Sequence, residues 1–158
     1  MFRELERKKK QITNEECIEI LKNEKRGVLS VIGDEGYPYG MPMNHFYNEA
    51  DGNIYFHSGK TGHRNDAIEK CSKASFCVYD KGYVNEGEWA LNIKSVIVFG
   101  KIEVVENLNE VIDITRKLSY KFTSDEAYIE NEIKHYADKT RLLKLKVEHM
   151  CGKMIAES

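Results

Sequence analysis

Apolar and polar residues alternate with a period of two over much of the chain, and this pattern predicts β-strands. The expected strands are 26–32 and 37–47, joined by a polar turn as a hairpin, and 53–57, 73–83, 90–105 and 141–149. A helical spacing of apolar residues predicts helices at 14–22, where Thr13 and Glu16 form a capping box, and at 65–70, 108–122 and 125–136. Antiparallel strands with intervening helices predict an α+β barrel, because closure removes exposed strand edges.

Length and charge narrow the class of protein. The 158 residues are 41% hydrophobic, which suits one domain spanning residues 1–158 with a substantial core. The 24 Lys and Arg against 26 Asp and Glu create no positive field, so we expect no nucleic-acid partner. Apolar runs of signal-peptide or membrane-spanning length are absent from the sequence, and the expected location is the cytoplasm, without membrane contact.

The cysteines do not indicate a metal site. Cys17, Cys71, Cys77 and Cys151 are scattered without a CxxC pair, and we expect them to be reduced. The possible ligand set of His57, His63, Cys71 and Cys77 matches no standard zinc spacing, so no metal is expected.

The segment 57–68 carries the most chemical information. It is typical of a strand end, a turn with two glycines and a helix start, where backbone N–H groups and the helix dipole favour an anion. The surrounding phosphate-binding residues are Ser58, Lys60, Thr61, Gly62, His63 and Arg64. The Gly-Lys-Thr at 59–61 is not a P-loop, since Ile54 stands where that motif needs glycine. A cofactor phosphate is the favoured ligand, and a solvated surface turn is the alternative.

The order of elements, with several short motifs, resembles the FMN-binding split-barrel family related to pyridoxamine 5′-phosphate oxidase, and within it the branch of nitroimidazole-resistance proteins. The residues that carry the resemblance are 1–4, 36–39, 41–44, 54–64, 76–78 and 94–100. The resemblance implies a six-stranded antiparallel split β-barrel with flanking helices, which forms a homodimer with FMN at each subunit interface.

The resemblance also implies roles for residues. The FMN phosphate would be held by Ser58, Lys60, Thr61, Gly62, His63 and Arg64. The family usually has lysine where Arg64 stands. Backbone groups of Met41, Pro42, Met43 and Asn44 would lie along the isoalloxazine, with His57 near the ribityl chain or ring. Trp89, Lys94 and Ser95 would come from the partner subunit, and for Trp89 a purely structural place at the dimer interface is the alternative. His45 and His57 are the candidates for a catalytic role, with a buried barrel histidine as the alternative for His45.

The function implied is that of an FMN-dependent oxidoreductase, which reduces a small electron-poor substrate such as a nitroimidazole or another nitro-aromatic with NAD(P)H as donor. A Ser-His-Asp arrangement is missing from the sequence, which fits a protein whose cofactor supplies the chemistry. A second arginine-rich phosphate site is also missing, so pyridoxamine phosphate is not the expected substrate. The alternatives are a flavin-binding protein without turnover, and a binder of haem or a deazaflavin, with His45, His57 or His63 as haem ligands.

Overall fold

One antiparallel sheet organises the chain. In the computed structural model, which describes residues 1–137 and 139–156, eight strands form this sheet. They are β1 (Arg26–Ile32), β2 (Pro38–Asn44), β3 (Phe46–Asn48), β4 (Asn53–Ser58), β5 (Lys73–Tyr79), β6 (Tyr83–Val84), β7 (Leu91–Val105) and β8 (Arg141–Ala156). Their order is β2-β1-β5-β7-β8-β4-β3, and β6 pairs with β7 outside that path.

Four α-helices flank the sheet in the described part of the chain. They are α1 (Asn14–Asn23), α2 (His63–Lys70), α3 (Leu108–Ser119) and α4 (Glu126–Tyr136). The predicted capping box of α1 is confirmed, because the Glu16 N–H donates to Thr13 Oγ1 at 3.2 Å and the Thr13 N–H donates to Glu16 Oε2 at 2.9 Å. None of these helices is long and apolar enough to cross a membrane.

The sheet curls because its two longest strands bend together. β7 and β8 pair along most of their length, with an irregular register between Phe99 and Gly100. A side chain at Gly100 would collide with the backbone carbonyl of Lys146, so glycine permits the close approach of the two strands there. The concave face encloses a core that includes Leu29, Phe56, Phe76, Val98 and Leu145.

The barrel remains open on one side. β2 and β3 stand at the two ends of the strand order, and β2 contacts β4 without pairing to it. The predicted α+β antiparallel split barrel is therefore confirmed, with eight strands where six were expected.

The predicted strand 37–47 is the first source of the extra strands. It divides at His45, because β2 pairs with β1 whereas β3 pairs with β4 on the other side of the opening. The His45 side chain is fully buried between them, with Nε2 at 2.8 Å from the Leu21 carbonyl oxygen.

The predicted strand 73–83 also divides, into β5 and β6. The carboxylate of Asp80 forms the turn between them, since Oδ1 accepts the backbone N–H groups of Gly82 at 3.0 Å and Lys94 at 2.9 Å. At the C-terminal end, the strand expected at 141–149 continues to Ala156 as the partner of β7.

Candidate functional site

The loop between β4 and α2 has a fixed conformation. Gly62 precedes the helix with φ 107°, a value that L-residues with side chains rarely adopt. The buried Asn65 side chain donates through Nδ2 to the carbonyl oxygens of Gly59 and Thr61, both at 3.0 Å. Arg141 in turn donates to Asn65 Oδ1 at 3.1 Å and orients the amide. The loop is thus held in place from within the protein.

Arg64 extends from the first turn of α2 towards the open side of the barrel. Its Nε and Nη2 atoms donate to Ser58 Oγ at 3.2 and 2.7 Å, and Nη1 lies 3.1 Å from the sulfur of Met43 and 3.9 Å from that of Met41. Burial lowers the pKa of this guanidinium, and no carboxylate of the described residues forms an ion pair with it. A half-buried cation that meets only a hydroxyl and two thioethers is suited to an anionic ligand.

His63 is fixed beside the same loop. Its ring stacks on Tyr39 with centroids 4.2 Å apart, and Nε2 lies 3.5 Å from Asp34 Oδ2 in the turn between β1 and β2. Lys60 and Thr61 are exposed on the loop. The six predicted phosphate-binding residues therefore belong to one strand end, loop and helix start, as the sequence indicated.

A cavity of about 350 Å³ lies where β2 faces β4, and one of its lining residues, Met43, contacts Arg64 through its sulfur. Its lining residues are Arg26, Pro42, Met43, Asn44, His57 and Leu118. β2 is an edge strand in the described sheet, so backbone groups of Met41–Asn44 that point away from β1 are available to a ligand. The structure brings this predicted strand and His57 together around one space.

His57 contributes a neutral polar group to that cavity. Its Nε2 atom lies 2.9 Å from Thr115 Oγ1 of α3, and burial lowers the pKa of the imidazole below its usual range. The ring is therefore uncharged at neutral pH and its orientation is fixed by α3.

His45, one of the two candidates for a catalytic role, is not among the residues that line this cavity. Its side chain is fully buried, and its ring lies 4.8 Å from that of Phe76. Nε2 donates to the Leu21 carbonyl oxygen, while Nδ1 is buried without a hydrogen-bond partner among the described residues. Burial, with the neighbouring Lys121 ammonium, lowers the pKa of His45 to about 3, so the ring is neutral. The alternative interpretation, a buried barrel histidine, describes this residue.

Trp89, Lys94 and Ser95 lie apart from this cavity within the single chain. Trp89 is 82% exposed, Lys94 Nζ donates to Glu16 Oε1 at 2.7 Å, and Ser95 of β7 lies opposite Tyr79 of β5. The predicted supply of these residues by a partner subunit remains a prediction. Among the described residues, no group of three His, Cys, Asp or Glu side chains could hold a metal ion.

Four residues of the site were not predicted from the sequence. Asn65 and Arg141 fix the loop, Thr115 fixes His57, and Arg26 forms part of the cavity wall through a 2.8 Å bond from Nε to Asn44 Oδ1. Asn65 was detectable, since a buried asparagine in the first turn of a helix often bonds to local backbone. The others come from distant parts of the chain, and the local sequence gives no sign of them.

The open antiparallel barrel, with a fixed loop between β4 and α2 and a cavity at its opening, is a split-barrel architecture. The family model described as Pyridoxamine 5′-phosphate oxidase matches residues 13–154, and the chain belongs to this family. The family expected from the sequence is thereby confirmed. No curated protein matches the chain.

Solved structures share the fold at low sequence identity. A candidate 5-nitroimidazole antibiotic resistance protein from Bacteroides thetaiotaomicron is 19% identical with a TM-score of 0.81, over 92% of this chain and 87% of that one. A conserved hypothetical protein from Mycobacterium tuberculosis is 15% identical with a TM-score of 0.79, over 95% and 90%. An FAD and haem binding protein from Mycobacterium smegmatis is 17% identical with a TM-score of 0.73, over 92% and 73%.

Proposed function

We propose that this protein binds FMN across the opening of the barrel and acts as a flavin-dependent oxidoreductase. The observation that carries the proposal is the half-buried Arg64 guanidinium beside Ser58, which has no carboxylate partner among the described residues and lies at the start of α2. A phosphate monoester would supply the missing negative charge, and the fixed loop would present its donors without reordering. The flavin-binding proteins among the structural neighbours support a flavin as the ligand.

The residues present fit a phosphorylated flavin at both ends. Ser58, Lys60, Thr61, His63 and Arg64 would hold the phosphate, with the backbone at Gly62. The edge of β2 at Met41–Asn44 would receive the polar rim of the ring, because that backbone is unpaired on one side in the described sheet. His57 would add an uncharged hydrogen-bonding group. A bound flavin would supply the redox chemistry, since it exchanges one or two electrons.

A single phosphate favours FMN over FAD in this proposal. The loop and Arg64 form one compact anion site at the start of α2, which suits a terminal monoester. A diphosphate would require a second cationic cluster along the cavity, where Arg26 is the charged lining residue. The M. smegmatis neighbour binds FAD, so the two flavin nucleotides must be compared directly.

We also propose a homodimer in which each subunit completes the other's site. The outer face of the sheet carries the cross-strand pair Cys77 and Ile97, and Trp89 projects from the chain with most of its surface exposed. Burial of these groups against a second copy would remove apolar area from water. Trp89, Lys94 and Ser95 would then close the flavin site of the partner.

The proposed reaction is the reduction of a small electron-poor compound, such as a nitroimidazole or another nitro-aromatic, with NAD(P)H as electron donor. In this reaction the chain's own residues would bind and orient the flavin and the substrate. Leu118 and Pro42 supply apolar surface to the cavity wall, and the neutral His57 avoids a fixed charge beside the ring. The likeness to the Bacteroides protein supports a nitro compound as the substrate.

The absorption spectrum of the purified protein tests the cofactor. We expect flavin bands and release of FMN on denaturation, whereas a Soret band would indicate haem. The geometry disfavours haem, because His45 is buried, His57 Nε2 is engaged by Thr115, and His63 is stacked on Tyr39. A colourless protein that gains no flavin spectrum with excess FMN would refute the proposal.

Anaerobic mixing with NADH or NADPH tests turnover. We expect the flavin bands to bleach and to return when a nitro-aromatic is added. If the bands bleach with neither NADH nor NADPH, the proposed oxidoreductase activity is refuted, and the alternative of a flavin-binding protein without turnover is favoured.

A further inference from the structure

A second and larger cavity adjoins the proposed flavin site. Its volume is about 1040 Å³, and it shares Arg26 and Pro42 with the smaller cavity. Val28, Tyr79 and Phe122 supply apolar and aromatic surface to its wall. The two spaces are therefore neighbours, and a molecule in the larger one would lie next to the ligand of the smaller one.

Arg26 forms the boundary between the two cavities with part of its guanidinium unused. Its Nε atom donates to Asn44 Oδ1 at 2.8 Å, which fixes the plane of the group. Neither terminal nitrogen has a hydrogen bond or an ion pair with any described residue. A planar fork that is tethered at one nitrogen and open at two others matches the geometry of a carboxylate.

The charged side chains around the larger cavity are positive on balance. Lys25 and Lys81 add positive charge, and Lys25 Nζ lies 5.5 Å from the ring centre of Phe122. The carboxylate of Asp80 already accepts two backbone N–H groups. Glu24 is the remaining acid, and the ammonium of Lys121 lies 2.7 Å from its backbone carbonyl oxygen. Three cationic side chains thus face two carboxylates, of which one is satisfied.

We propose that the larger cavity binds small aromatic carboxylates, with Arg26 as the residue that selects the acid and Phe122 as part of the wall for the ring. This proposal names a substrate class for the proposed flavin site. Turnover of such a substrate rests on the proposed function, whereas its binding rests only on the larger cavity and Arg26.

Isothermal titration of the purified protein with 4-nitrobenzoate and 4-nitrobenzamide tests the proposal, since the two probes have the same shape and differ in charge. We expect the wild-type protein to bind the acid about tenfold or more tightly than the amide, the size of one charge-assisted hydrogen bond. The preference should fall as salt is raised, because the cavity is open to solvent.

Variants of Arg26 assign the preference. Arg26→Gln should bind acid and amide alike, whereas Arg26→Lys should keep part of the preference through its charge. Arg3→Gln makes the same change at an exposed position that lines neither cavity, and it should behave as wild type.

Equal binding of the two probes to the wild type, binding of neither, or an undiminished preference in Arg26→Gln would each overturn the inference. A protein that shows the Arg26-dependent preference and takes up no flavin would refute the proposed function and leave this inference standing. A protein that takes up flavin and lacks the preference would refute this inference and leave the proposed function standing.

Discussion

Replacement of Arg64 by methionine is the sharpest test of the phosphate site. In the structure, two nitrogens of Arg64, Nε and Nη2, donate to Ser58 Oγ, and the third nitrogen, Nη1, faces the sulfur of Met43 at 3.1 Å. A thioether is a weak acceptor, so Nη1 can turn to a phosphate oxygen with little loss. The side chain thus supplies about one new charge-assisted hydrogen bond when FMN binds.

One such bond contributes about 1.5–3 kcal/mol, which corresponds to a factor of about 10–150 in affinity. Riboflavin lacks the phosphate and serves as the internal control, because its affinity reports the ring and ribityl contacts alone. We therefore expect Arg64→Met to weaken FMN binding by about 10–150-fold and riboflavin binding by much less.

Quenching of flavin fluorescence measures both affinities on the same preparation. Arg64→Lys should retain most of the discrimination, since the family usually has lysine at this position, and Arg3→Gln should retain all of it. The flavin-free Arg64→Met protein should unfold at no lower temperature than wild type, because it lacks a half-buried cation without a carboxylate. A ratio of FMN to riboflavin affinity that is the same in Arg64→Met and wild type would show that the phosphate binds elsewhere.

Three further predictions concern the rest of the chain. The pKa of His45 is lowered to about 3 by burial, against 6.5 for an exposed imidazole, so the stability this group contributes is complete above pH 6.5 and is lost as the pH falls towards 3. When the pH is lowered from 7 to 5, the free energy of unfolding measured in urea should fall by about 2 kcal/mol less in His45→Gln than in wild type. An equal fall in the two proteins would contradict the assignment of a neutral buried histidine. Lys121 donates to three backbone carbonyls, of Leu21, Glu24 and His45, so Lys121→Met should destabilise the protein by about 1–3 kcal/mol in the same assay. Lys117→Met, one helical turn earlier and exposed, should change stability by less than about 0.5 kcal/mol, and similar losses in the two variants would argue against a structural role of the carbonyl contacts. Trp89→Ala should weaken the proposed dimer in light scattering and leave the unfolding of the separate subunit unchanged, whereas an unaltered dimer would exclude Trp89 from the interface.

Local signals in the sequence predicted much of the fold. The capping box at Thr13 and Glu16 marked the start of α1, and alternation in 26–32 and 53–57 gave β1 and β4 almost to the residue. The conformation of segment 57–68, a strand end followed by a turn and a helix start, was also predicted, since its glycines and helix start are contiguous. Such signals succeed where neighbours in sequence determine the conformation.

The features that the sequence did not predict depend on contacts between distant segments of the chain. The division of 37–47 depends on which strands β2 and β3 pair with, and alternation does not encode the partner. The sequence left two interpretations of His45 open, a catalytic role or a buried barrel histidine, and its contact with the carbonyl oxygen of Leu21 in α1 depends on tertiary packing. Arg26 became part of the site only when β1 and β2 aligned it with Asn44. Each of these features is set by tertiary packing, which a single sequence reports weakly.

Both prolines of the chain, Pro38 and Pro42, lie on β2, the strand at the end of the sheet. An exposed terminal strand invites addition of a foreign strand and, through it, aggregation. Proline offers no N–H, so this border gives an incoming polypeptide an incomplete ladder. A planar heterocycle needs only a few hydrogen-bond acceptors and donors along a strand edge. The two prolines that discourage strand addition therefore leave the exposed edge of β2 accessible to small molecules.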